Sequence, residues 1–119
     1  ADNGLSGMVN INDREFITIE RAYAGGKGNT VRLMRAKIDH EVTDVSRMDN
    51  LAGKSYTPIK KTLLLEMPLT YQNVKIDNIE AITWGKKLRN GNRSLVLAVD
   101  NNFNPVQVTQ FMAFEVIDR

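Results

Sequence analysis

Ala81-Ile82-Thr83-Trp84, a polar turn centred on Asn90-Gly91-Asn92, and Arg93-Ser94-Leu95-Val96-Leu97-Ala98-Val99 read as the two arms of a β-hairpin. The arms are rich in β-branched and aliphatic residues, and Asn and Gly accept the positive φ that a tight hairpin turn requires. Oxygen-bearing side chains stand at both ends. Asp77-Asn78-Ile79-Glu80 leads in and Asp100-Asn101-Asn102-Phe103-Asn104-Pro105 follows, so the hairpin returns the second cluster close to the first.

The same periodicity extends outward from this hairpin. Glu15 to Glu20, Thr30 to Ile38 and Val108 to Ile117 carry β-branched and aromatic residues with partial alternation, and no segment holds a sustained helical stripe. Gly25-Gly26-Lys27-Gly28-Asn29 and Asp49-Asn50-Leu51-Ala52-Gly53 are turn signals between them. Lys60 to Glu66 is a further apolar run, stopped by Pro68. An all-β chain is expected. Its 119 residues form one small domain at most, which buries roughly two-thirds of its unfolded surface. Sixteen basic against fourteen acidic residues leave +2, too little for an electrostatic footprint on nucleic acid. There is no cysteine, hence no disulfide or thiolate chemistry. No apolar run approaches the roughly 20 residues of a membrane span, and Ala1-Asp2-Asn3-Gly4 has no signal-peptide pattern. A soluble chain beginning at a processed end is the expectation.

A repeat organises these strands. Leu5 to Val9, the strand ending Glu20-Arg21, a glycine-rich loop and Thr30 to Ile38 are echoed about 80 residues later by Ile79 to Thr83, the strand ending Val99-Asp100, a polar loop and Val108 to Ile117. Lys60 to Glu66 gives the first unit a fourth strand, whereas the second stops at three. Four-stranded sheets repeated around an axis make a β-propeller, which closes with about four to eight blades. The expectation is a partial propeller domain over residues 1–119, about two four-stranded antiparallel blades, with units 5–66 and 78–117. Two blades leave edges and apolar faces bare, so the expected partners are the remaining blades, from another chain or fragment, or further copies of this chain.

Glu20-Arg21, Gly28-Asn29-Thr30-Val31-Arg32-Leu33, Lys61 to Leu65, Asp77 to Glu80, Thr83-Trp84-Gly85, Ser94 to Leu97, Asp100 to Pro105 and Gln107 to Phe111 together resemble the C-terminal part of the phytase-like family described as having esterase-like activity. The resemblance runs from about Leu5 to Ile117. It implies a β-propeller, usually exported by bacteria and also found in plants, with hydrolase activity on an ester or phosphoester. It also implies an extracellular or periplasmic location. Full members are much longer, so the resemblance implies that N-terminal blades are missing. The family usually has Gly where this chain has Ala81, which bears on the local backbone path.

Calcium takes about six to eight oxygen ligands from carboxylates, amides, backbone carbonyls and water. Asn78, Glu80, Asp100 and Asn101 supply those types, and in a propeller the inner strand and its end loops face the central channel. The expectation is a calcium-assisted hydrolase site in which the cation polarises a phosphoryl or acyl oxygen and lowers the pKa of a bound water. Glu80, Asp100 and Arg21 are its candidate catalytic residues, with Asn102 and Glu20 on the substrate and Arg21 clamping an anionic oxygen through its planar fork.

Plainer readings stand beside these. Asp100 to Pro105 is also an ordinary turn in which Asp and Asn cap their own backbone. Glu80 is also readable as an acid paired with an arginine between blades, and Glu20 and Arg21 as salt-bridge partners. Trp84 reads as a packing residue. His40, between Asp39 and Glu41, has no adjacent nucleophile. Gly25 to Thr30 lacks the Gly-Lys-Ser/Thr ending of a phosphate loop and precedes a strand. Lys86, Lys87, Arg89 and Arg93 have no interleaved aromatics and read as a solvated loop. A non-catalytic propeller module for binding or interaction is therefore the alternative function.

Overall fold

A computed structural model describes residues 2–118. Along them run β1 (Asp2–Asn10), β2 (Glu15–Ala24), β3 (Gly28–Lys37), β4 (Lys60–Met67), β5 (Thr70–Tyr71), β6 (Val74–Lys75), β7 (Ala81–Trp84), β8 (Arg93–Val99) and β9 (Gln110–Val116), with no helix among the described residues. All pairings are antiparallel. The strands form a first sheet in the order β1-β2-β3-β4, a two-stranded ribbon β5-β6, and a second sheet β7-β8-β9.

The expected two four-stranded units are thus corrected to sheets of four, two and three strands. Part of the difference is the ribbon, whose turn residues Gln72 and Asn73 take φ of 48° and 64°. Two consecutive left-handed residues define the tight turn that matches strand twist. Without a glycine, that turn leaves little sequence signal. The ribbon leads into Ile76, which is buried in the common core. The rest of the difference is β9, which is the edge of its sheet among the described residues.

Period-two alternation builds that core. Ile17 and Ile19 of β2, Val31 and Leu33 of β3 and Met67 of β4 project from one face of the first sheet, while Leu95, Leu97 and Val99 of β8 project from one face of the second. All are buried in a single cluster with Ile76 and Ile79. The two backbones approach most closely along β1 and β7. Gly7 permits this, because a Cβ there would stand 3.3 Å from the Glu80 carbonyl oxygen and 3.3 Å from Ile19. The Ser6 hydroxyl donates to the Ile79 carbonyl at 3.1 Å, and the Trp84 indole N–H donates to the Asn10 carbonyl at 2.7 Å. Trp84 also carries the guanidinium of Arg93, from its own sheet, 3.4 Å above its ring centroid, which holds the indole that bonds across to β1. The Gly25–Lys27 loop is the β2-β3 turn, with Gly26 at φ 83°.

Candidate functional site

Alternation also decides which polar residues meet. Arg21 follows Ile17 and Ile19 on the inner face of β2, and its Nη1 comes within 3.9 Å of Glu80 Oε1, just ahead of β7. The Glu80 amide donates to the Ala98 carbonyl, which extends the β7-β8 ladder by one residue and fixes the backbone carrying that carboxylate. Arg21 Nη1 is itself buried and makes no hydrogen bond among the described residues. The pair therefore joins two sheets through charge, with a guanidinium N–H left unused. Arg21 and Asn78 line a shallow concavity of about 230 Å³ together with Asn3, Tyr23 and Asn29.

Glu20 lies elsewhere. Its neighbour Arg21 faces inward, so Glu20 projects from the opposite face, where it pairs with Lys61. The structure does not bring Glu20 together with Arg21 and Glu80.

Asp100, Asn101 and Asn102 form a chain of turns. The Asn102 amide donates to Asp100 Oδ1 at 2.9 Å and the Phe103 amide to Asn101 Oδ1 at 3.0 Å. Asn102 Nδ2 donates to Gln107 Oε1 at 3.0 Å. Asn102 and Phe103 take φ of 50° and 55°, a conformation that Asn tolerates and that these bonds enforce on Phe103. Glu80 and Asp100 line a second concavity, of about 390 Å³, with Ala81, Thr109 and Phe111. Asn78 and Asp100 thus line different concavities, and Asp77 is occupied in accepting from the Asn78 and Val108 amides.

This distribution bears on calcium. Among the described residues no three His, Asp or Glu side chains converge as a metal centre would require, and the Asp100 and Asn101 side chains already accept backbone donors. The four expected ligands are spread over two concavities and the turn between Asp100 and Phe103, and no step is derived through calcium. What the arrangement offers instead is a cation beside a carboxylate at the junction of two sheets. The sequence reading placed Arg21 and Glu80 in one site and also offered Glu80 as the partner of an arginine between sheets; the fold shows that the arginine is Arg21. Asn29 and Tyr23 carry no motif that would single them out.

The model of the phytase-like family, described as esterase-like activity of phytase, matches residues 1–103. No curated protein and no solved structure gives a significant match. The matched region contains β1 to β8 and both Arg21 and Glu80, and it ends within the Asp100 to Pro105 turns, before β9. The resemblance read through Ile117 is thus supported up to residue 103, well over half of the chain, and the chain belongs to the phytase-like family.

Proposed function

We propose that this chain contributes to a hydrolase of ester or phosphoester substrates, with Arg21 orienting an anionic oxygen and Glu80 acting on the attacking water. The observation that carries the reading is the buried Arg21 Nη1, without a hydrogen-bond partner among the described residues and 3.9 Å from Glu80 Oε1, with Arg21 lining one open concavity and Glu80 another. A guanidinium with a free N–H can donate to a carboxyl or phosphoryl oxygen, and a carboxylate nearby can accept a proton from water. Membership in the phytase-like family supports the hydrolase class and an extracellular or periplasmic location.

The same reading treats the two larger sheets as neighbouring blades of an incomplete propeller. Its support is that β1 and β7, the first strands of the two repeats, lie side by side. The outer face of the first sheet adds to this: Leu5, Met8 and Leu63 are exposed there, around a Thr18 hydroxyl that is buried and unpaired among the described residues.

The test is turnover of p-nitrophenyl acetate and p-nitrophenyl phosphate by the chain, by Glu80→Gln and by Arg21→Lys. At least about a hundredfold loss of kcat is expected for Glu80→Gln, and a rise in KM for Arg21→Lys. Turnover with and without a chelator tests calcium assistance as a separate point. Full activity in both variants removes this assignment. A second reading, a non-catalytic binding module, is favoured by the turn bonds that occupy Asp100 and Asn101, and it predicts no turnover by any variant.

A further inference from the structure

The β7-β8 loop, residues 85–92, is expected from its sequence to be a solvated loop, yet its backbone is braced along its length. The Gly85 amide donates to the Ser94 carbonyl at 2.9 Å, the Leu88 amide to the Asn92 carbonyl at 2.9 Å and the Gly91 amide to the Leu88 carbonyl at 3.0 Å. The Ser94 hydroxyl donates to the Lys86 carbonyl at 2.6 Å. Gly85 allows this closure, because a Cβ there would stand 2.5 Å from Ser94 Oγ. Asn90 and Asn92 complete the brace by donating to Glu115 Oε1 on β9 at 2.5 and 2.7 Å.

Four side chains take no part in the bracing. Lys86, Lys87, Leu88 and Arg89 are all exposed, with Leu88, at 38%, set between its cationic neighbours. Among the described residues the three cations enter no ion pair. Glu115, the carboxylate that touches the loop, is taken by Asn90 and Asn92. At the base of the loop, Arg93 stacks on Trp84 and its Nη1 donates to the Ile11 carbonyl at 3.5 Å, which ties the hairpin to the β1-β2 turn. Three like charges within four residues, without counter-charges, repel one another and oppose folding. The same arrangement favours an anionic surface, because a braced loop meets it without the ordering cost of a mobile one.

We propose that this loop docks the protein on an anionic lipid membrane, with Lys86, Lys87 and Arg89 among the headgroups and Leu88 at their boundary with the acyl chains. Each Lys or Arg beside such a surface strengthens attachment about fivefold. Leu88 sets a membrane apart from an acidic polysaccharide, which offers charge but no apolar layer. A nucleic acid fits less well, since the loop has no aromatic side chain on which a base can stack. Attachment by three cations and one leucine is peripheral and reversible, and salt weakens it. This inference goes beyond the hydrolase reading and does not rest on it.

The experiment is co-sedimentation of the full chain with vesicles of phosphatidylglycerol and phosphatidylcholine, and with vesicles of phosphatidylcholine alone, in low and high salt. Lys86→Gln, Lys87→Gln and Arg89→Gln in one variant are compared with Lys27→Gln, Lys54→Gln and Lys75→Gln in another, which removes the same charge from exposed positions outside the loop. The parent chain should bind the anionic vesicles alone and be released by salt. The loop variant should lose at least about thirtyfold in binding and the control less than about threefold. Leu88→Ser should weaken vesicle binding about threefold and leave binding to dextran sulfate unchanged. These side chains lie outside the bracing, so every variant should keep the parent Tm, and a loss of binding at that Tm is a loss of contact and not of fold. No binding to anionic vesicles, equal binding to both kinds, or equal losses in the two triple variants overturns the proposal. So does tighter binding to dextran sulfate with no effect of Leu88→Ser on vesicles, which assigns the loop to an acidic polysaccharide.

Discussion

The first and second sheets repeat one design and differ in how it is finished. In both, a central strand sends aliphatic residues into the same core, Ile17 and Ile19 from β2 and Leu95 and Leu97 from β8. In the first, β4 covers the third strand and ends the sheet with lysines and a bulge; in the second, β9 is left regular and nearly uncharged. Burial of the shared face is satisfied between the sheets, whereas pairing of the edge is a separate requirement that each sheet meets or leaves open.

The comparison breaks most visibly if the sheets are not one cooperative unit. Ile19→Ala and Leu97→Ala each remove a side chain that is 0% exposed, one from each sheet, and each should cost about 2–5 kcal/mol in urea unfolding. One transition common to both variants is expected, since the two residues share a cluster. Two separated transitions, one moved by each variant, would show that the sheets unfold independently. A smaller loss, about 1–3 kcal/mol, is expected for Gly7→Ala, whose new methyl presses on the Glu80 carbonyl and on Ile19. Because it pushes β1 away from the residue that bears the Arg21 partner, it should also raise KM for any ester the chain hydrolyses. An unchanged Tm would mean that β1 and β7 can part freely.

The smallest effect sharpens the contrast at the surface. Glu115 is held below its ordinary value of 4.5 by donors from Asn92 and Asn90, which ties β9 to the β7-β8 turn. Asp39 is held below its ordinary value of 3.8 by Lys60, at the start of β4, and by the Glu41 amide. Both folded values are depressed, so their contributions are complete above the ordinary values and vanish as pH falls through the lowered ones. Tm should be level near neutrality and fall in acid. Asn92→Ala should flatten part of that fall, and Lys60→Met another part. Thermal melts between about pH 6 and pH 3 read both slopes.

Most strands were legible because burial on one face imposes a period of two. Glu15 to Glu20, Thr30 to Ile38, Lys60 to Glu66, Arg93 to Val99 and Val108 to Ile117 overlap β2, β3, β4, β8 and β9. The β5-β6 ribbon was not legible, because two-residue strands carry no period and its turn uses Gln72 and Asn73 where a glycine would have announced it. At the candidate site the nearness of Arg21 to Glu80 was legible and the separation of Glu20 from them was not. Glu20 and Arg21 read as a unit in sequence, yet adjacent strand residues face opposite ways, so one meets Lys61 and the other Glu80.

The sequence by itself determined an all-β chain, its repeat and its family, since alternation, turn residues and motif order are local properties that survive without coordinates. Only the tertiary structure decided that Arg21 meets Glu80 across a junction opened by Gly7, that Asn78 and Asp100 line different concavities, and that β9 is the edge of its sheet among the described residues. These depend on which strands lie side by side. That is settled by burying a common core between sheets distant in sequence, and no local pattern encodes it.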